Sequence, residues 1–441
     1  MKVVHVSDCF LPRLGGIEVQ VAELSRIQAA HGHDVAVITA TPDHPRPGHA
    51  DTPEHAGAPG HTGTHRYTGR QGLAGTHRHT GAQGPANTHD PLDAHGSGEG
   101  PGPTSGAPYA IHRLTAPLPW ELPVDPHAGR RVGVLLARLE PDAVHVHVGA
   151  VSPFGWAAAR RARADGRPTT VTVHSMWDPV TLAGYRALDR LTGWTGWGLV
   201  ITTVSAAAAT PIRRALGGRT PVHVVANGID VAQWRLPAPA RDGPGEGRTA
   251  DRLRVAAVGR LAPRKRPVAL LRLLREATDR LPTGVELHAT IVGEGPGRPA
   301  MERYLRRHRM DAYVELTGRL DRPQVREVLS HSDIFLAPAP RESFGLAALE
   351  ARTAGLPVVA LTCSGVADFV RPGREGLLGR TQADLAEAIA RLAADPALRR
   401  EIATHNRRTT PDGCTWPEVL NAFEERYAEA AQSAQTPRKI T

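Results

Sequence analysis

The stretch from Asp333 to Leu361, DIFLAPAPRESFGLAALEARTAGLPVVAL, contains a strand, a loop, a helix and a second strand in one string. Its first run, DIFLAP, and its last, PVVAL, are short and almost wholly apolar, the pattern of strands covered on both faces. Between them Phe344 and Gly345 open a helix that carries Glu350. Two strands joined through a helix form the repeating unit of a parallel α/β sheet.

The same rhythm extends upstream through RVAAVG, ELHATIVG and YVELTG, divided by amphipathic segments such as Pro267 to Arg280. It stops at residues 236–251, LPAPARDGPGEGRTAD, which read as a linker. Before the linker it begins again: VVHVS, a helix from Ile17 to His31 closed by Gly32, DVAVIT, AIHRL, a helix near Val132, AVHVHV, TTVTVH and LVITTVS. The expectation is two parallel-sheet domains facing across a cleft, residues 1–235 and 252–414, with a terminal helix over 415–432. Ligands of such sheets bind at the carboxyl ends of the strands.

Residues 42–108 interrupt this pattern. They are rich in Gly, Pro and His, hold only Leu73 and Leu92 as large aliphatics, and repeat GTHRYTGRQG from Gly63 as GTHRHTGAQG from Gly75. Nothing there builds a core, so the segment reads as a disordered insertion rather than a histidine metal tract. Without those 67 of the 441 residues, the remaining 374 suit two domains of about 190 each. Hydrophobic residues are 41% and charged residues 22%, which excludes wholesale disorder. No apolar run reaches the ~18 residues of a membrane span, and MKVVHVSDCF is a poor signal peptide, so a cytoplasmic protein is expected. Cys9, Cys363 and Cys414 are too scattered for a disulfide framework or a zinc site. The formal charge of +9 suits anionic partners without choosing among them.

Three segments carry chemistry. Gly15 and Gly16 follow the first strand and let backbone approach a ligand, although GxGxxG is absent and a simple turn remains open. VGRLAPRKRP, Val258 to Pro267, brings Gly259, Arg260 and Lys265 to a strand exit. The chain has three lysines among 53 basic residues, and Lys265 is the interior one; its compact charge suits a diphosphate, though a solvated basic loop is the alternative. In the opening stretch, the helix start at Gly345 offers free N–H groups to a phosphate oxygen. Glu342 and Glu350, with seven residues between them, would stand ~12 Å apart on a continuous helix, wider than a glycosidase pair. They read as contacts to two parts of one long ligand, such as the sugar and ribose hydroxyls of a sugar nucleotide, with a solvated helix face as the alternative.

The second half resembles the retaining family-4 glycosyltransferases of GT-B architecture, two Rossmann-like domains. VGRLAPRK, VGEGPGR, LTGRL, DIFLAP, ESFGLAALEARTAGLPVV and REGLL occur in that family's order, and PRLGGIE, VHVHVG, TVTVHS, TTVS and NGID are its landmarks in the first half. The resemblance implies a donor diphosphate against Gly15, Gly16, Arg260, Lys265 and the amides near Ser343, Phe344, Gly345 and Leu346. It implies Glu350 on ribose, Glu342 and His174 at the transferred sugar, and Gly318, Arg319 and Leu320 beside the base. His174, Arg260, Lys265 and Glu342 are then the catalytic set. The loop TCSGVADFV departs from the family pattern, with Gly365 alone and Asp368 where a paired glycine and a glutamate are usual.

The activity this resemblance implies is transfer of a hexose, of mannose or N-acetylglucosamine type, from a GDP- or UDP-linked donor to a hydroxyl acceptor, lipid or glycoconjugate. No cofactor and no metal are implied, and no DxD motif is present. A sugar-nucleotide epimerase and a non-enzymatic sugar-nucleotide binder stay open as alternatives. No nucleic-acid module is visible. Trp156 with Arg160, Arg161, Arg163 and Arg167 offers a peripheral patch for an anionic membrane, against the plainer reading of a solvated helix end.

Overall fold

The computed structural model describes residues 1–13, 15–43, 107–115, 127–218, 220–237 and 252–435. The repeat at Gly63 and Gly75, nearly all of the insertion and most of the linker lie outside the described residues.

The first lobe is a parallel sheet of β1 (Lys2–Ser7), β2 (Asp34–Thr39), β3 (Ala110–Arg113), β4 (Ala143–Val148), β5 (Thr169–Val173), β6 (Val200–Thr203) and β7 (Val222–Val224), ordered β3-β2-β1-β4-β5-β6-β7. Its helices are α1 (Gly16–Ala30), α2 (Ala128–Leu139), α3 (Pro153–Ala164), α4 (Pro179–Thr192), α5 (Ala206–Leu216) and the single turn α6 (Val231–Trp234). The second lobe repeats the plan with β8 (Arg252–Val258), β9 (Glu286–Val292), β10 (Val314–Gly318), β11 (Ile334–Ala337), β12 (Val358–Leu361) and β13 (Gly376–Gly379), ordered β10-β9-β8-β11-β12-β13. Around it pack α7 (Pro267–Thr278), α8 (Arg298–His308), α9 (Arg322–Ser330), α10 (Leu346–Thr353), α11 (Gln382–Ala394) and α12 (Pro396–Arg408).

Every residue of β4 and β5 is buried, as strands covered on both faces require. Strand order reverses between β1 and β4 and again between β8 and β11, which opens a crevice at each lobe's carboxyl edge. The sequence reading omits β7 and β13. One has three residues and the other, GLLG, has no β-branched side chain, so neither carries strand periodicity.

The terminal helix α13 (Trp416–Gln435) starts one residue later and runs further than expected. It packs Val419, Leu420, Phe423 and Tyr427 against Val3, Leu24 and Ala143 of the first lobe. Gly228, in NGID, is where the returning chain meets that lobe: a Cβ there would fall 2.4 Å from the Trp416 ring.

The membrane patch needs correction. Trp156 is buried and its indole N–H donates to the Tyr185 hydroxyl at 2.8 Å. Arg163 is also buried, donating to the Trp197 carbonyl at 2.9 Å, while Arg161 pairs with Asp165 as a solvated helix end does. Trp156 therefore offers no anchor for a membrane, because its ring is needed in the core. Among the described residues no helix is long and apolar enough to cross a membrane.

Candidate active site

The loops that follow β8 and β11 meet at the second crevice. They form an open crevice with Gly259, Arg260, Lys265, Glu342 and Gly345 on its walls. Lys265 closes a short 3-10 turn, Pro263–Lys265, and its Nζ stands 2.5 Å from Glu342 Oε2. Both side chains are about a quarter exposed, so the pair is open to exchange with a ligand. Arg260 is exposed and has no ion pair among the described residues. It acts electrostatically on Cys9 in the loop after β1, so the two lobes' loops face one another here.

Glycines set these loops close together. Leu261 N–H donates to the Glu294 carbonyl at 3.0 Å and Gly297 N–H to the Leu261 carbonyl at 2.7 Å. A Cβ on Gly293 would lie 1.9 Å from the Gly259 carbonyl oxygen, and φ of +142° there also disfavours any side chain. VGEGPGR is thus the bed on which the Arg260 loop rests. Gly365, the glycine retained in the divergent loop, does the same for Glu342: its N–H donates to the Glu342 carbonyl at 2.8 Å, and a Cβ would fall 2.2 Å from the Ser343 carbonyl oxygen.

Helix α10 begins at Gly345 with no side-chain cap, in contrast to the capping box of Asp321 on α9. The amides at Leu346 and beyond are left for a ligand or solvent. Phe344 is buried on Phe369, ring centroids 5.3 Å apart, so it offers backbone and not its ring. The Ser343 carbonyl is occupied by the Ser205 hydroxyl of the first lobe at 2.5 Å. Glu350 lies inside α10. Burial pushes its carboxyl up to about 8, Arg322 opposing the rise and Glu23 adding to it. Arg322 and Glu23 themselves pair at 2.5 Å across the lobes. Gly318 ends β10 with φ +79°, Arg319 beyond it is exposed, and Leu320 packs on the second-lobe core. Gly15 caps α1 and Gly16 begins it, with open space where a Gly16 Cβ would stand.

His174 sits apart from the cation pair, on a small recess of the first lobe shared with His147, Gln20 and Gly228. Its Nε2 is 3.0 Å from His147 Nδ1. Partial burial, which strips water from the ring, lowers the pKa of His174 to about 4, so the ring is neutral.

The roles of several residues escaped the sequence reading. Asp8 accepts the Phe154 and Gly155 N–H groups at 3.2 Å each, at the start of α3, and burial pushes its carboxyl up to about 7. Asp368 receives the Ala206 N–H at 2.7 Å and so ties α5 to the second lobe, a role local spacing does not signal. Glu375, in REGLL, is wholly buried. Burial alone would raise its pKa, but Arg371, with His405 and Arg352, holds it down at about 2. Its place is within the second lobe's frame.

Residues 244–409 match the family described as Glycosyl transferases group 1, and residues 87–233 match Glycosyltransferase Family 4. Glycogen synthase of Mycobacterium tuberculosis H37Rv is 29% identical over 354 residues, 73% of this chain and 78% of that protein. D-inositol 3-phosphate glycosyltransferase of Streptomyces bingchenggensis is 26% identical over 330 residues, 68% of this chain and 69% of its own. Among solved structures, sucrose-phosphate synthase of Thermosynechococcus elongatus superposes with a TM-score of 0.66 at 19% identity, over 97% of this chain and 99% of that one. Anabaena Alr3699/HepE in complex with UDP gives 0.63 at 15% identity, over 97% and 100%. These likenesses concern the fold, and the sequence matches give the family. The chain belongs to the glycosyltransferases of GT-B fold, a Glycosyltransferase Family 4 domain followed by a Glycosyl transferases group 1 domain.

Proposed function

We propose that the protein transfers a hexose, of mannose or N-acetylglucosamine type, from a GDP- or UDP-linked donor to a hydroxyl acceptor, with retention and without a metal. The observation that carries the reading is the Lys265–Glu342 pair beside Arg260 and the uncapped start of α10. A diphosphate entering this crevice takes Lys265 from Glu342. Lys265, Arg260 and the α10 amides then stabilise the charge that builds on the leaving diphosphate. Glu342, released from its partner, accepts a hydroxyl of the transferred sugar. Glu350 accepts from the ribose, and Gly318, Arg319 and Leu320 border the base. HepE has been solved with UDP-glucose, and curated relatives use inositol phosphate or build glycogen, which supports a polyhydroxylated acceptor.

The test is a thermal-shift screen over nucleotide sugars, followed by calorimetry and product analysis with hydroxyl acceptors. A donor that binds only the folded chain must raise the melting temperature. Failure of well-folded protein to take up any nucleotide sugar would overturn the reading.

A further inference from the structure

Eight side chains run in single file through the first lobe, linked by hydrogen bonds from β6 to the end of β5. Thr202 reaches the Val171 carbonyl at 3.5 Å, Thr172 reaches Thr202 at 2.6 Å, and His145 Nε2 reaches Thr172 at 2.6 Å. His145 Nδ1 is 2.9 Å from the Tyr427 hydroxyl, which is 3.1 Å from Gln28 Nε2. Gln28 Oε1 is 2.6 Å from His5 Nε2, His5 Nδ1 is 2.9 Å from His147 Nε2, and His147 Nδ1 is 3.0 Å from His174 Nε2. All members except His174 are buried.

One fixed end gives such a file a direction. A backbone carbonyl only accepts, so Thr202 donates to it, and each hydroxyl, having one hydrogen, must accept from the next member. His145 therefore donates from Nε2 and accepts at Nδ1 from Tyr427. Tyr427 in turn accepts from the Gln28 amide nitrogen, which leaves Gln28 Oε1 facing His5. His5 and His147 each donate from Nε2 and accept at Nδ1. The last proton sits on His174 Nε2, and its Nδ1 is bare, with no partner among the described residues.

We propose that this file locks His174 in the Nε2–H tautomer, so that Nδ1 is an obligate acceptor for a hydroxyl of the donor sugar. Gln28, His5 and His147 are its positioning residues. The step to the sugar rests on the proposed hexosyl transfer; the tautomer does not. The file requires every imidazole to be neutral, since an imidazolium would set two N–H groups against each other. Burial secures this by lowering the pKa of His5 to about 4 and those of His145 and His147 well below the ordinary histidine value. One nitrogen from each of His5, His145 and His147 lies within 4.8 Å of the other two, close enough for a metal ion. All six ring nitrogens of these residues, however, are engaged in the hydrogen bonds of the file.

Long-range 1H–15N correlation spectra of 15N-histidine-labelled full-length protein, with His174 assigned from the His174→Gln spectrum, read the tautomer directly. The expected result at pH 7 is Nε2–H at His174 without any donor present. Gln28→Leu breaks the file and should let His174 populate both tautomers, lowering kcat about tenfold with donor KM changed by less than about twofold. Gln28→Glu keeps both bonds only while its carboxyl is protonated, donating to Tyr427 and accepting from His5. It should therefore restore the tautomer and most of the turnover as the pH is lowered and the acid protonates. An Nδ1–H or charged His174, a Gln28→Leu variant with an unchanged tautomer, or stoichiometric zinc in the purified protein would overturn the proposal. If no donor supports turnover, the assigned reaction fails, while the spectra still decide the tautomer.

Discussion

Lys265 and Glu342 hold each other in the free protein, so each governs the other's availability to substrate. Lys265→Ala deprives the leaving diphosphate of its nearest point charge, and transfer should fall ~100-fold or more, read as kcat with a saturating donor. Near-normal turnover would contradict the role. Glu350 makes a separate prediction. Its pKa is raised from 4.5 to about 8 on folding, so its contribution is full below 4.5 and is lost as pH rises to 8, where the folded chain must ionise a buried acid. Glu350→Gln has no such loss and should gain stability over the parent across that window, increasingly so toward pH 8. Thermal denaturation of both proteins at pH 5 and pH 8 measures it; a gap that narrows with rising pH would refute the burial argument.

At the scale of elements, the glycine loops decide where the chemistry stands. Gly293→Ala would press a methyl into the Gly259 carbonyl and so displace the Arg260 loop. The expected outcome is a loss of donor affinity together with about 2 kcal/mol of stability, measured by calorimetry and denaturant unfolding. Glu375→Gln should cost about 3 kcal/mol at neutral pH, because Arg352 is buried beside it and loses its counter-charge. The carboxylate's pKa is depressed from 4.5 to about 2, so its stabilisation is present above 4.5 and lost as pH falls toward 2. Parent and variant should therefore converge in melting temperature across that interval. The long apolar strands, the helix between Glu342's loop and PVVAL, and the strand-exit cations were legible because period and burial leave a mark on local sequence. Short edge strands β7 and β13, the capping by Asp8 and the histidine file were not, since each depends on partners from about 20 to about 400 positions away.

At the scale of the whole molecule, the ties between the lobes include the packing of Val204 and Trp234 among second-lobe apolar residues, the hydrogen bonds of Ser205 and Asp368 and two partly exposed ion pairs, Arg322–Glu23 and Arg341–Asp178. Exposed pairs contribute about 1 kcal/mol or less apiece and weaken with salt. Glu23→Ala combined with Asp178→Ala should therefore increase the radius of gyration of the free protein in small-angle scattering, with the difference reduced once a donor is bound; identical profiles in both states would show that these pairs do not hold the lobes. The trace of α13 carries a consequence for synthesis. On the ribosome the six strands of the second lobe are complete before Phe423 and Tyr427 are added to the core of the first, so the earlier half must wait, partly uncovered, for the later one. A premature stop just after Arg408 would thus injure the half of the molecule encoded farthest from it.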